Sequence, residues 1–144
     1  MEGLNFRPAR EADFPLVSGL LSHVGLPLMG VKEHFPRFLV ACDEFGLIGC
    51  AGLERYGAYA MLRSVAVAES ERNQGCGQTM VEKLLLKAQK EGVRQVVVMT
   101  DNAVDFFAKF EFQPIRRELV PESLKESLEY KSAPADATAM TLKL

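Results

Sequence analysis

Between Ala60 and Glu91 the hydrophobic pattern changes its period once, across a polar, glycine-bearing loop. The run Ala60 to Val67 is apolar and strand-like, and Val65-Ala66-Val67 closes it. Residues 69–74 are polar, Gly75 and Gly77 follow, and Met80, Val81, Leu84, Leu85 and Ala88 then recur at helical spacing up to a C′ glycine at Gly92. A strand that feeds a glycine-rich turn and then a long amphipathic helix restricts the chain to mixed α/β architectures. It also creates an anion site. A helix start exposes unpaired backbone N–H groups and the positive end of the macrodipole. Amides from Gln74 to Gln78 would converge on a pyrophosphate, Gly75 and Gly77 leave it room, and Arg72 adds a cation at the mouth.

The elements around this core follow from local signals. Leu4 to Pro8 reads as a short first strand. Asp13 reads as a helix N-cap, with Pro15 in the first turn and Gly25 closing the helix. Val31 to Phe35 is a helical turn. Arg37–Cys42, Leu47–Tyr56 and Ala60–Val67 form an antiparallel meander, with turns at Asp43–Gly46 and Gly57–Ala58. Val96-Val97-Val98 is a strand covered on both faces. Asn102–Phe110 reads as a second amphipathic helix, Ile115–Val120 as a strand, Pro121–Tyr130 as the start of a short helix and Thr138–Leu144 as a last strand. At 144 residues, 48% hydrophobic, the expectation is one domain over residues 1–144.

Two familiar phosphate motifs fail here. A P-loop needs Lys and then Ser or Thr after its last glycine, whereas Gln78 and Thr79 follow Gly77. The dinucleotide fingerprint needs a third glycine where Met80 stands.

The run Arg72-Asn73-Gln74-Gly75-Cys76-Gly77 instead resembles the Arg/Gln-x-x-Gly-x-Gly/Ala motif of the GCN5-related N-acetyltransferases (GNAT). Phe106 to Phe112 is similar to that family's second block, and Arg7-Pro8-Ala9…Asp13 to its usual opening. The resemblance covers nearly the whole chain. It implies a mixed sheet of six to seven strands, antiparallel at the N-terminal side, about four helices and a splayed central strand pair. It also implies acetyl-CoA as co-substrate and transfer of its acetyl group to a primary amine. Pantetheine would pair with the main chain of Val65, Ala66 and Val67, and the pyrophosphate with Arg72, Asn73, Gln74, Gly75, Cys76, Gly77 and Gln78. Asn102 and Phe107 complete the expected cofactor contacts.

Attack of an amine on a thioester requires a neutral amine, an oxyanion donor and a departing thiolate. The Val65 N–H is the expected oxyanion donor. The family's histone-acetylating branch carries a glutamate where this chain has Met61, so Glu54 on the neighbouring strand is the expected base. Many members carry a tyrosine acid where this chain has Phe107, so no tyrosine acid is expected. Arg55, Arg63 and Ser64 are the expected substrate contacts; Lys32, His34 and Arg37 add charge after the first helix. Leu26 to Val31, Cys50 to Glu54 and Leu62 to Val67 are similar to a subgroup associated with arsenic-resistance operons. That likeness implies a small, anionic, amino-acid-like amine, such as an arsenic-containing glutamate analogue.

Charge and cysteine content exclude other classes. Lys plus Arg total 17 against 19 Asp plus Glu, a net charge of −2, so no nucleic-acid partner is expected. No apolar run approaches the ~20 residues of a membrane helix, and Met1 to Arg10 has no signal-like apolar stretch. A cytoplasmic protein is therefore expected. Cys42, Cys50 and Cys76 fit neither a disulfide framework nor a metal cluster. The tail from Pro121 to Leu144 is a candidate homodimer surface. An acyl-CoA sensor without catalysis, or a transferase of longer acyl chains, would use the same loop.

Overall fold

The computed structural model describes residues 3–72 and 75–144. Among the described residues, seven strands form one mixed sheet. The first is β1 (Asn5–Pro8), followed by helices α1 (Phe14–His23) and α2 (Val31–His34). The meander β2 (Phe38–Asp43), β3 (Gly46–Tyr56) and β4 (Tyr59–Val67) comes next, then α3 (Cys76–Lys90) and β5 (Gln95–Thr100). Helix α4 (Val104–Ala108), β6 (Gln113–Ile115), α5 (Glu122–Lys125), α6 (Leu128–Ser132) and β7 (Thr138–Lys143) complete the order. The strands lie β1-β2-β3-β4-β5-β7-β6, and β4/β5 is the parallel pair. Among the described residues no helix is long and apolar enough to cross a membrane.

Strand alternation sorts the core onto two faces. Ala60, Leu62, Val96 and Val98 pack against Met80, Val81, Leu84 and Ala88 of α3. The opposite face carries two separate apolar clusters. One joins Val17 and Leu21 of α1 to Phe35, Phe38 and Cys50. The other joins Met61, Val97 and Met99 to Val120 and Leu124.

A β-bulge in β4 positions the site. Cys50 pairs with Ala66 and Gly52 with Arg63, so β4 carries one extra residue there. Ser64 adopts φ +58°, a left-handed conformation uncommon outside glycine. The extra residue inverts the strand's parity, and Val65 and Val67 therefore join Ala60 and Leu62 on the α3 face. The β4/β5 pairing runs only from Tyr59↔Gln95 to Leu62↔Val98. Beyond it β5 stays paired with β7 up to Thr100↔Thr138, and the two central strands separate.

Several local expectations are corrected. Asp13 does not cap α1: it has helical torsions, and its carboxylate accepts hydrogen bonds from Arg7 Nη1 (2.7 Å), Arg7 Nη2 (2.9 Å) and the Arg10 N–H (2.7 Å). The expected helix Asn102–Phe110 shortens to α4, opened by the Ala103 N–H donating to Thr100 Oγ1 at 3.0 Å. The expected strand Ile115–Val120 ends at Ile115. Residues 117–119 form a 3-10 turn, and the Arg117 guanidinium crosses to the carbonyls of Pro134 and Ala137 at 2.6 and 2.9 Å. The segment after Pro121 is two short helices, because Ser127 caps α6 by accepting the Tyr130 N–H.

Candidate active site

Helix α3 begins without a side-chain cap. Gly75 is its N-cap residue, at φ +77°, where a side chain would be strained. Among the described residues the first backbone bond there runs from the Thr79 N–H to the Gly75 carbonyl at 3.0 Å, and the amides of Cys76, Gly77 and Gln78 stand in the first turn, whose donors a helix leaves without acceptors of its own. They open on a cleft of about 470 Å³. Val67, Glu71, Arg72 and Gly75–Gln78 form one side of it, and Phe106 and Lys109 come from the region of α4. A Cβ on Gly77 would stand 3.6 Å from both Phe106 and Val67, so the second glycine keeps open a space between the cleft's walls. First-turn amides, two nearby cations and an open slot suit a pyrophosphate.

The gap between β4 and β5 adjoins this cleft through Val67. Ala68 donates its N–H to the Ile48 carbonyl of β3 at 2.7 Å. Peptide groups alternate along a strand, so Val65 and Val67 turn theirs away from β3, into the gap. Arg72 Nε donates to the Val67 carbonyl at 3.2 Å, in agreement with that direction.

The individual expectations now separate. Arg72 is exposed at the cleft mouth, as is Gln78, whose side chain donates to Glu82 at 3.0 Å. Asn73 and Gln74 lie outside the described residues. Cys76 contributes only its backbone. Its side chain is buried against the α3-face core, and burial pushes the thiol up to about 11, with the Glu71 charge adding to the rise. Phe107 is also corrected. It is buried, stacked edge-on with Phe112, whereas its neighbour Phe106 lines the cleft. Phe106 and Lys109 were not anticipated as site residues. Asn102 is exposed in the loop before α4 and does not line the cleft.

Arg55 is removed from the substrate side. Its Nη2 donates to the Glu91 carbonyl at 2.8 Å and its Nε to the Gly57 carbonyl at 3.0 Å. It therefore holds the C-terminal end of α3, where Arg37 also meets the Glu91 carboxylate at 2.9 Å. That end lies one full 15-residue helix away from the cleft.

Glu54 and Arg63 form a buried polar seam between the two apolar clusters on the other face. Both side chains are fully buried, with Arg63 Nη1 at 2.6 Å from Glu54 Oε2. Glu54 also accepts from the Tyr56 hydroxyl (2.7 Å) and the N–H groups of Leu128 (3.2 Å) and Glu129 (3.0 Å). His34 Nε2 stands 3.3 Å from Oε1. A buried carboxylate so fully engaged anchors Arg63 and α6 and has no free oxygen to take a substrate proton, which corrects its reading as the base. Arg63 Nε donates to Ser64 Oγ at 2.9 Å, and its Nη2 to the Pro27 carbonyl at 3.2 Å. Arg63 and Ser64 thus sit together at the bulge. The seam is covered by the loop before α2: a Cβ on Gly30 would fall 2.6 Å from Arg63 Nη1.

Comparison with known proteins agrees with this architecture. Residues 34–114 match the family model of the acetyltransferase (GNAT) domain. An uncharacterized N-acetyltransferase of Chlorobaculum tepidum is 33% identical over 126 residues, covering 82% of this chain and 81% of its own. The chain therefore belongs to the GNAT acetyltransferases, enzymes that transfer an acyl group, and acetyl-CoA is the co-substrate this membership assigns. The amino-acid acetyltransferase of Salmonella typhi is 32% identical over 106 residues, 70% of this chain but 23% of that protein. Among solved structures, N-acetylglutamate synthase from Neisseria gonorrhoeae, complexed with coenzyme A and N-acetyl-glutamate, superposes with a TM-score of 0.85 at 21% identity. That match covers 98% of this chain and about a third, 35%, of the synthase chain.

Proposed function

We propose that this chain acetylates the amine of a small anionic amino acid, with L-glutamate as the reference substrate. The observation that carries the proposal is the separation of β4 from β5 beyond Leu62 and Val98, directly beside the uncapped start of α3. In this reading the gap joins the two faces of the sheet. The cleft on the α3 face holds phosphates, and the buried seam on the other face offers ionic recognition. The names of the relatives supply the substrate class, since two of them act on amino acids or carry an acetylated one.

Acetyl-CoA, when bound, supplies a thioester whose carbonyl carbon is open to attack. The amides of Cys76, Gly77 and Gln78, with Arg72 and Lys109, hold its pyrophosphate. The Val65 N–H, turned into the gap, donates to the carbonyl oxygen as charge develops there. Arg63 and Ser64 at the bulge bind the substrate carboxylate; the Arg63 Nη2, which donates to the Pro27 carbonyl at 3.2 Å and stands 3.6 Å from Glu129 Oε1, is the donor for it. The reading needs no side-chain acid at the leaving sulfur, because a thiol with an ordinary pKa of ~8.5 leaves as thiolate near neutral pH.

Thiol release from acetyl-CoA tests this directly. L-Glutamate should react faster than 4-aminobutyrate, which lacks the α-carboxylate. Equal rates for the two, or turnover confined to polypeptide N-termini, would refute the substrate assignment.

A further inference from the structure

One buried polar atom in the seam has no partner. Glu129 Oε1, on α6, makes no hydrogen bond, although its side chain is only 9% exposed. The nearest cation, Arg63 Nη2, lies 3.6 Å away, beyond hydrogen-bond reach and already directed to the Pro27 carbonyl. Buried polar groups left unpaired are rare and costly, so this oxygen needs a role. Its surroundings specify what would satisfy it. Arg63 and Ser64 come from β4, Glu54 and Tyr56 from β3 and His34 from α2. Two carboxylates share one guanidinium, and Glu54 takes its shorter contact at 2.6 Å. A second cation would complete the pairing.

We infer that Glu129 receives the substrate's ammonium group and takes its proton, while Arg63, bonded to the bulge residue Ser64, takes the carboxylate. The inference rests on the amino-acid reading above and deepens it. An α-amino acid presents opposite charges two bonds apart, and the seam presents Arg63 and Glu129 side by side. The proton step balances: the ammonium N–H bond breaks, the proton moves to Glu129 Oε1, and the nitrogen lone pair is freed to attack. Burial pushes the Glu129 carboxyl up to about 7, against the Arg63 charge, and the Glu54 charge adds to the rise. A carboxyl in that range exchanges a proton with an amine far more readily than one near 4.

Calorimetry of L-glutamate binding to the full chain in the presence of CoA, in buffers of different ionisation enthalpy, reads the proton directly. With a carboxyl near 7, about half the free Glu129 is protonated at pH 7, and the bound carboxylate–ammonium pair holds one proton in either form. About half a proton is therefore released per glutamate bound. In Glu129→Gln the release disappears, kcat falls by roughly a hundredfold or more, and the acid limb of the pH–rate profile near 7 is lost. Acetyl-CoA binding stays unchanged. Glu129→Asp retains the charge at shorter reach, and should keep the proton release with a reduced kcat. Should Glu129→Gln not fold, Glu129→Asp decides alone: a kcat and proton release both equal to the parent's would overturn the inference. Glutamate bound by parent and Glu129→Gln with equal proton release would overturn it too, while leaving the amino-acid reading standing. A parent chain that binds acetyl-CoA but neither binds nor acetylates glutamate would refute that reading, and this inference with it.

Discussion

Gly77→Ala should move stability and cofactor affinity in opposite directions. Gly77 is the second residue of α3, with ordinary helical torsions. A Cβ there meets Phe106 Cζ and Val67 Cγ2 at 3.6 Å, ordinary van der Waals contact, so no steric cost arises. Restricting the unfolded chain then stabilises the fold by about 0.4–1 kcal/mol. For a domain of this size, Tm rises by roughly 1–4 °C. The same methyl bridges the two walls of the phosphate cleft and keeps an anion from the Gly77 amide. Loss of one hydrogen bond to a charged group costs about 1.5–3 kcal/mol, or roughly ten- to a hundredfold in Kd. Thermal unfolding without ligand and calorimetric titration with acetyl-CoA measure the two effects separately. Unchanged acetyl-CoA affinity in a stabilised Gly77→Ala chain would refute the seating of the pyrophosphate on this helix start. A lowered Tm without ligand would instead refute the packing of Phe106 against it.

The adjacent phenylalanines should divide between stability and binding. Phe107→Ala empties a buried site and should cost about 3–5 kcal/mol in urea unfolding, with a smaller loss for Phe106→Ala; in calorimetry Phe106→Ala should weaken acetyl-CoA binding. The Arg7 side chain holds the Asp13 carboxyl at about 2, below its ordinary range. Because the folded value is depressed, the pair's stability is present above about pH 4 and is lost as pH falls towards 2. Discounted for the partly exposed Arg7, it amounts to roughly 1–2 kcal/mol, and an Asp13→Asn chain should show a flatter acid limb in unfolding between pH 4 and 2. Gly52→Ala would place a Cβ 2.2 Å from the Phe38 ring; it should destabilise by about 1–3 kcal/mol, and Phe38→Leu should recover part of that in the double mutant.

What the sequence reveals is what local periodicity can carry. The α3 stripe, the β2–β4 meander and the glycines at the helix start each lie within a single window of residues, and the structure places them where that periodicity does. The phase of a short helix is different. Turns advance by about 100° per residue, and α4 has only five residues, too few for a stripe to say whether Phe106 or Phe107 faces the cleft. Charge pairing is also invisible locally. Arg55 had equal claim to the substrate side until its partner, Glu91, appeared 36 residues away at the other end of α3. Glu129 carries no motif at all. Its relation to Glu54 spans 75 residues and exists only because α6 folds back over the sheet.

The bulge links these long-range features. Without Ser64 as an extra residue, the alternation that points Leu62 towards α3 and Arg63 away from it would continue, and Val65 would face away from α3. With it, Arg63 faces the seam while Val65 and Val67 face α3. The same residue coincides with the end of β4/β5 pairing, which leaves peptide groups turned into a gap instead of a neighbouring strand. Ser64 takes an αL conformation that costs about 1–3 kcal/mol of strain for a non-glycine residue. Contacts on both sides hold it there: its hydroxyl accepts from Arg63, and its carbonyl accepts from the Cys50 thiol at 3.3 Å. Arg63 is fixed in turn by Glu54, and Glu54 by the N–H groups of α6. Backbone strain at the bulge is thereby supported by the buried ion pair, which gives a fully engaged Glu54 a part in shaping the proposed site without touching a proton of the substrate.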